Sequence, residues 1–168
     1  MPQPASPDHS LHEAAGAMMA LLNGAWAARL VHAAAEFRIA DCLASGPRDV
    51  ETLAVATKTH APSLHRLLRA LAAVGVVREI DDRRYALTPL GTTLRTGIPG
   101  SMWAWTLLVF SDDLGRAWEA LPHAVRTGEN AFQHIFGVDL WTRLASRRKP
   151  PGCSMRPCKT SHRALAAR

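Results

Sequence analysis

Cysteine is scarce in this sequence, and its placement excludes a disulfide framework. The 168 residues contain three cysteines, and Cys42 alone lies before residue 146. A small fold held together by disulfides needs several paired cysteines within its body. The body of this chain therefore depends on a hydrophobic core, and we expect a reducing, cytoplasmic location.

An excess of charge is also missing from most of the chain. The formal net charge is +6, yet residues 1–145 hold 13 Lys and Arg against 14 Asp and Glu. The other seven basic residues all follow residue 146. Because nucleic-acid-binding domains carry positive charge on one face, the neutral body argues against that class of partner.

Long apolar runs are absent by inspection. The most apolar stretch, "MWAWTLLVF", is about half as long as a membrane-spanning helix requires. The start, "MPQPASPDHS", lacks the charged-then-apolar pattern of a signal peptide. We expect residues 1–10 to be a disordered leader and expect no membrane contact.

The apolar periodicity of the remaining sequence predicts a mainly α-helical fold with one β-hairpin. Apolar residues recur at steps of three and four from Leu11 to Leu43, and Gly24 leaves open one helix or two. Around the polar turn "DDRR" the period changes to two. We expect helices near residues 11–43, 49–56, 62–74, 101–110, 112–126 and 137–145, and a hairpin near residues 76–87.

Local end signals support several of these boundaries. Asp49 is a candidate N-cap, and either His60 or Ser63 caps the following helix, which Gly75 ends. Thr88 followed by Pro89 predicts another short helix. A helix, a short helix, a longer helix and a hairpin follow in the order of a winged-helix domain, which we assign to residues 11–100. Residues 101–145 form an aromatic-rich helical extension.

Several segments in this order resemble one protein family. The segments "LLNGAWAARLVHAAAEFRIADCL", "SLHRLLRALAAVGV", "YALTPLGTTLR" and "AWEALPHAVRTGENAFQHIFGVDLW" are similar to the N-terminal region of bacterial O-methyltransferases that use S-adenosylmethionine. The resemblance covers roughly residues 15–145. It implies a winged-helix-like dimerisation domain whose helices interlock with a second copy, followed in the family by a Rossmann-like domain that holds the cofactor and the catalytic base.

The resemblance also implies roles for individual residues. Leu22, Trp26 and Leu30 would belong to a homodimer interface. The wall of a substrate pocket would include the aromatic residues Trp103, Trp105, His134, Phe136 and Trp141. The spacing of His134, Phe136 and Trp141 by itself indicates only core positions.

A dinucleotide-type cofactor site is not found in the sequence. No glycine-rich turn of the form G-x-G-x-x-G occurs, and the glycines after residue 95 are isolated. We therefore expect no Rossmann domain, no cofactor-binding residue and no catalytic residue in this chain. S-adenosylmethionine would bind the full-length enzymes of the family.

The ending "RRKPPGCSMRPCKTSHRALAAR" differs in composition from the rest, with seven basic residues and no acid. Written in GC-rich codons and read two bases later, its first part gives "AEAARLFDAAMQD", which resembles the next helix of the family. We expect residues 146–168 to be an out-of-frame translation of a truncated gene; a solvated basic tail is the alternative. Cys153, Cys158 and His162 lack the paired spacing of a zinc site, so we expect no metal.

Two functions from different classes remain. The first is the dimerisation and substrate-lid part of an O-methyltransferase that acts on a hydroxyl of a small, aromatic secondary metabolite, and that is inactive as this chain alone. The second is a stand-alone winged-helix transcription regulator, in which the helix carrying Arg66 and Arg69 would read DNA. The neutral body and the tryptophan-rich extension favour the first.

Overall fold

The structure is a computed structural model, and it describes residues 7–146. In chain order the elements are α1 (Pro7–Glu36), α2 (Ile39–Cys42), β1 (Arg48–Asp49), α3 (Val50–Thr57), α4 (Ala61–Ala73), β2 (Val77–Asp81), β3 (Arg84–Leu87), α5 (Pro89–Thr92), α6 (Trp103–Val109), α7 (Asp112–Glu119), α8 (Leu121–Thr127), α9 (Ala131–Phe136) and α10 (Leu140–Ser146). The mainly helical, winged-helix-like fold is confirmed. The expected tail lies outside the described residues.

The first helix is longer at its start and shorter at its end than expected. It begins at Pro7, inside the expected leader, because proline suits the first turn of a helix. It continues through Gly24, around which an added Cβ would meet nothing within 4 Å. A single glycine costs about 1 kcal/mol in a helix, which a helix of 30 residues tolerates.

The break falls instead at Arg38, which adopts a left-handed conformation with φ 53°. Its guanidinium holds two partners: Nε donates to Asp41 Oδ2 at 2.8 Å, and Nη2 donates to Thr96 Oγ1 at 2.8 Å. The Thr96 amide also donates to Asp41 Oδ1 at 2.9 Å. This network fixes the turn from α1 into α2.

The expected caps of the winged-helix region are present. Asp49 accepts the Thr52 amide at 2.7 Å and begins α3, and Thr88 accepts the Gly91 amide at 3.0 Å and begins α5. His60 is the residue before α4, rather than Ser63, and its side chain makes no cap hydrogen bond. Gly75, with φ 76°, follows the end of α4.

The sheet has a third strand beyond the expected hairpin. β2 and β3 pair antiparallel with Val77 opposite Leu87, and the turn between them is shorter than "DDRR", containing only Asp82 and Arg83. β1 pairs with the other edge of β3, which places Arg48 opposite Tyr85. The order β1-β3-β2 makes β3 central, and Tyr85 of this strand is fully buried in the hydrophobic core.

The hydrophobic core lies within the winged-helix region. Its most buried large side chains have at most 1% exposure and come from α2, α3, α4 and β3: Ile39, Val50, Leu53, Leu68, Leu71 and Tyr85. The last turns of α1 contribute Ala34, and Leu30 packs at the margin. The first two thirds of α1 extend beyond this core.

The extension after residue 100 has shorter helices than expected. The predicted helix 112–126 divides at Ala120. Pro122 has no amide hydrogen to donate to the main-chain carbonyl of Trp118, and the proline ring would crowd that carbonyl in a continuous helix. The predicted helix 137–145 begins too early: Gly137, with φ 69°, ends α9, and α10 starts at Leu140. The sequence predicted a single helix where the structure has α9 and α10, and its bounds left out residues 131–136.

Candidate dimerisation surface and aromatic wall

The first of the candidate surfaces is the apolar face of α1. Leu22 and Trp26 lie one helical turn apart and are 59% and 69% exposed. Other large apolar side chains of the same helix are also exposed: Leu11, Met18, Met19 and Leu21. Leu30, the third predicted interface residue, is half-buried against the core and marks the inner limit of this face.

The same helix contains a longer apolar segment than the sequence patterns suggested. The segment Leu11–Glu36, 26 residues long and near the N-terminus, is long and apolar enough to cross a membrane by length and composition alone. It contains no long run of strongly apolar residues, because alanine supplies much of its apolar character. The core helix of a soluble protein and a signal sequence meet the same two criteria.

The five predicted pocket-wall residues lie in two groups. Trp103 and Trp105 are on α6, which packs against α1. The Trp103 Nε1 group donates to the Ala35 carbonyl at 2.9 Å, and Trp103 is half-buried, whereas Trp105 is exposed. Trp103 is therefore already bound to the end of α1.

The second group surrounds α9. The Phe136 ring packs against Phe132 at a centroid distance of 4.7 Å, and the guanidinium groups of Arg143 and Arg116 lie 4.0 and 5.1 Å from its centroid. Trp141 on α10 is 72% exposed. Phe136 is thus the centre of a small cluster, while Trp141 offers an open ring.

An ion pair between Arg143 and Asp113, which the sequence did not indicate, holds the helices of this cluster together. Arg143 donates from Nε to Oδ2 of the buried Asp113 at 2.7 Å and from Nη2 to Oδ1 at 3.2 Å. The hydrogen bond to Asp113 raises the pKa of Arg143 above its usual value. The pair joins α10 to α7 over 30 residues of sequence, so no local pattern could have indicated it.

His134, also on α9, lies against a second histidine. Its ring stacks on that of His123 with centroids 3.7 Å apart and planes 19° from parallel. The Nε2 atom of His123 is 2.9 Å from Glu129 Oε2. The sequence did not indicate the contact of His134 with His123 and Glu129, because it depends on how two short helices and the loop between them fold back on each other.

A separate pocket lies on the winged-helix region and contains none of the predicted wall residues. It has a volume of about 360 Å³, is open to solvent and is lined by residues of α4 and of the segments before it: Phe37, Lys58, Thr59, His60, Ser63, Leu64 and Leu67. Arg66 and Arg69 are exposed on α4, as expected. Arg66 donates to Ser63 Oγ at 3.2 Å, which fits a solvated helix face.

The fold and the exposed first helix define a helical, winged-helix-like domain with an uncovered apolar face. Residues 19–97 match the family model of the O-methyltransferase dimerisation domain, so the resemblance of this region to that domain is confirmed. Among its relatives, the phenazine O-methyltransferase PhzM of Lysobacter antibioticus is 36% identical over 128 residues, which cover 76% of this chain and 37% of the relative.

Two further relatives agree with this assignment. The O-methyltransferase SfmM3 of Streptomyces lavendulae is 46% identical over 66% of this chain and 33% of its own length. The structure of CalO1, a methyltransferase in calicheamicin biosynthesis in its SAH-bound form, matches with a TM-score of 0.67 at 33% identity, over 86% of this chain and 42% of that protein. The chain thus spans about a third to two fifths of their lengths and corresponds to their N-terminal dimerisation part. The comparisons do not support a DNA-binding regulator.

Proposed function

We propose that this chain is the dimerisation and substrate-lid part of an S-adenosylmethionine-dependent methyltransferase that acts on a hydroxyl of a small, aromatic secondary metabolite. The observation that carries the proposal is the uncovered apolar face of α1, with Trp26 69% exposed, on a domain of the dimerisation family. An apolar face of this kind on a soluble domain needs a partner.

A second copy of the same chain is the partner that best fits this face. A two-fold interface uses the same patch on both copies, and a long helix with exposed large apolar side chains can pack against its own equivalent. Trp26 is suited to the centre of such an interface, since buried tryptophans contribute strongly to binding. We assign the exposed apolar side chains of α1 to protein contact in the cytoplasm rather than to lipid.

The chemistry of methyl transfer would take place in another part of a longer protein. Transfer requires the sulfonium methyl to lie in line with a deprotonated oxygen, so it needs precise positioning of both reactants and a general base. Because the chain spans 37% and 33% of two curated relatives, we place the cofactor site and the base in a following domain. Trp103, Trp105, His134, Phe136 and Trp141 would then contribute to the pocket wall by packing.

Substitution of α1 tests this function. In sedimentation velocity at micromolar concentration, the wild-type chain should form a dimer, and Trp26→Glu should shift it to monomer by placing a charge in the interface. Val55→Glu is the matched control, because Val55 is 80% exposed on α3 and lies outside the α1 face. A wild-type chain that remains monomeric, or equal dissociation in both variants, would contradict the proposal.

A further inference from the structure

Three side chains that can bind a metal ion converge where α8 meets α9. Glu129 Oε2 lies 2.9 Å from His123 Nε2 and 3.8 Å from His134 Nδ1. One ligand atom of each residue lies within 4.8 Å of the other two. Two imidazole nitrogens and one carboxylate oxygen form a donor set that zinc and related first-row divalent ions use in proteins.

The backbone of the connecting loop holds Glu129 between the two histidines. Gly128 has a φ of 76°, which allows the chain to reverse direction after α8. The Thr127 hydroxyl donates to the His123 carbonyl at 3.0 Å and accepts the Glu129 amide at 3.1 Å. Asn130 then caps α9 by accepting the amides of Phe132 and Gln133 at 2.9 and 3.0 Å. The positions of the three residues are therefore set locally.

The charges of the three groups suit a cation. With both imidazoles neutral, the ionised Glu129 gives the cluster one negative charge, and a divalent ion would compensate it. Two protonated imidazoles with centroids 3.7 Å apart would instead repel each other. A shared metal ion satisfies both rings and the carboxylate together.

The present ring arrangement is stacked, so coordination requires the rings to turn until their in-plane lone pairs converge. The side chains of His123 and His134 are 32% and 43% exposed, which leaves room for this rotation. Glu129 is 64% exposed, so water can fill the remaining coordination position. Three protein ligands and one position open to water are typical of zinc sites that remain accessible to solvent, whereas structural zinc sites have four protein ligands.

We propose that His123, Glu129 and His134 form a binding site for a divalent first-row transition-metal ion, with three protein ligands and water as the fourth. The site lies in the helical extension, separate from the apolar face of α1. It stands independently of the proposed methyltransferase role, because it depends only on contacts within α8, α9 and their loop.

Metal titration of the full chain under reducing conditions tests the site. Zn²⁺ measured by calorimetry should bind with one equivalent at this site, and Co²⁺ should give visible d–d absorption without thiolate-to-metal charge-transfer bands. His134→Ala and the isosteric Glu129→Gln should each weaken binding about tenfold or more, since even outer-shell changes at metal sites cost 10- to 100-fold. His60→Ala, at an exposed histidine outside the cluster, should bind as wild type.

The spectroscopy separates this site from the cysteines. Charge-transfer absorption that persists in His134→Ala would assign the bound ion to thiolates such as Cys153 and Cys158, and would overturn the proposal. Full Zn²⁺ affinity in both variants, or no binding by the wild-type chain at millimolar Zn²⁺, would also overturn it. Far-UV circular dichroism checks that each variant is folded. In NMR spectra, the ring resonances of His123 and His134 should shift when Zn²⁺ binds, because the rings rotate.

Discussion

The indole nitrogen of Trp103 donates a hydrogen bond to the main-chain carbonyl of Ala35 at 2.9 Å. This bond connects the start of α6 to the last turn of α1 across 68 residues of sequence. The Arg38 guanidinium lies 6.0 Å from the same ring centroid. Trp103 therefore fixes the aromatic-rich extension to the helix that carries the apolar face.

Trp103→Phe should destabilise the chain by about 1 kcal/mol, because it removes the donor and keeps most of the ring. For a chain of this size the melting temperature should fall by about 2–4 °C at fixed protein concentration. Trp105→Phe is the matched control, since Trp105 is 57% exposed and in the same helix. Equal melting temperatures for the two variants would show that the Trp103 bond adds no stability.

Gly91 marks a close approach between α5 and the segment that leads into β2. A Cβ atom at residue 91 would overlap the carbonyl oxygen of Val76, which is backbone and cannot move aside cheaply. Gly91→Ala should therefore cost at least about 1–3 kcal/mol in denaturant unfolding.

Gly115→Ala is the control for that substitution. Gly115 lies inside α7, and a Cβ atom added there would have no neighbour within 4 Å, so alanine should stabilise the chain by about 0.5–1 kcal/mol. If the two variants had the same denaturation midpoint, the close approach at Val76 would not exist in solution.

Tyr85 gives the fold a dependence on alkaline pH. Burial, with a smaller contribution from Glu79, raises the pKa of Tyr85 from 10.0 to about 12. Because the folded chain holds the hydroxyl proton more tightly than the unfolded chain, the protonated Tyr85 contributes its full stability below pH 10. This contribution is lost as the pH rises towards 12. The full shift corresponds to about 2–3 kcal/mol.

The chain contains a single tyrosine, so its ionisation can be followed directly by tyrosinate absorbance. The midpoint should lie near pH 12 in the native chain and near pH 10 in denaturant. Tyr85→Phe removes the ionisable hydroxyl from the core, so it should remove this alkaline loss. A native midpoint near 10 would show that the ring is accessible to water.

The cofactor provides a further prediction. Isothermal titration calorimetry of the 168-residue chain with S-adenosylmethionine should show no binding, because the sequence contains no glycine-rich turn to hold the nucleotide. A longer protein that continues into a domain with such a turn should bind it. Micromolar binding by the 168-residue chain itself would reveal a site that its sequence pattern does not indicate.

Local chemistry explains which parts of the fold could be predicted. The caps at Asp49 and Thr88 depend on residues three positions away, and the sequence shows both partners. The break at Arg38 could not be predicted, because it depends on Thr96, 58 residues further along the chain. The strand β1 has only two residues and exists through pairing with β3, so no alternation could reveal it.

The candidate surfaces also contain features that follow from local spacing and features that depend on residues distant in sequence. Helical spacing placed Leu22 and Trp26 on one face of α1, and the resemblance to the family implied that a single chain leaves this face exposed. The environment of His134 was missed because it depends on two helix ends and a left-handed glycine between them. The ion pair of Asp113 and Arg143 likewise joins separate helices.

The helical order in the uncovered first half of α1 should depend on the protein concentration. Residues 11–26 have no buried side chain of their own, so a partner that covers them would contribute to their helical stability by mass action. Dilution should then loosen the first half of α1 before the winged-helix core unfolds. Amide hydrogen exchange in this half should quicken as the protein concentration falls, while exchange at Leu53, Leu68 and Leu71 stays slow.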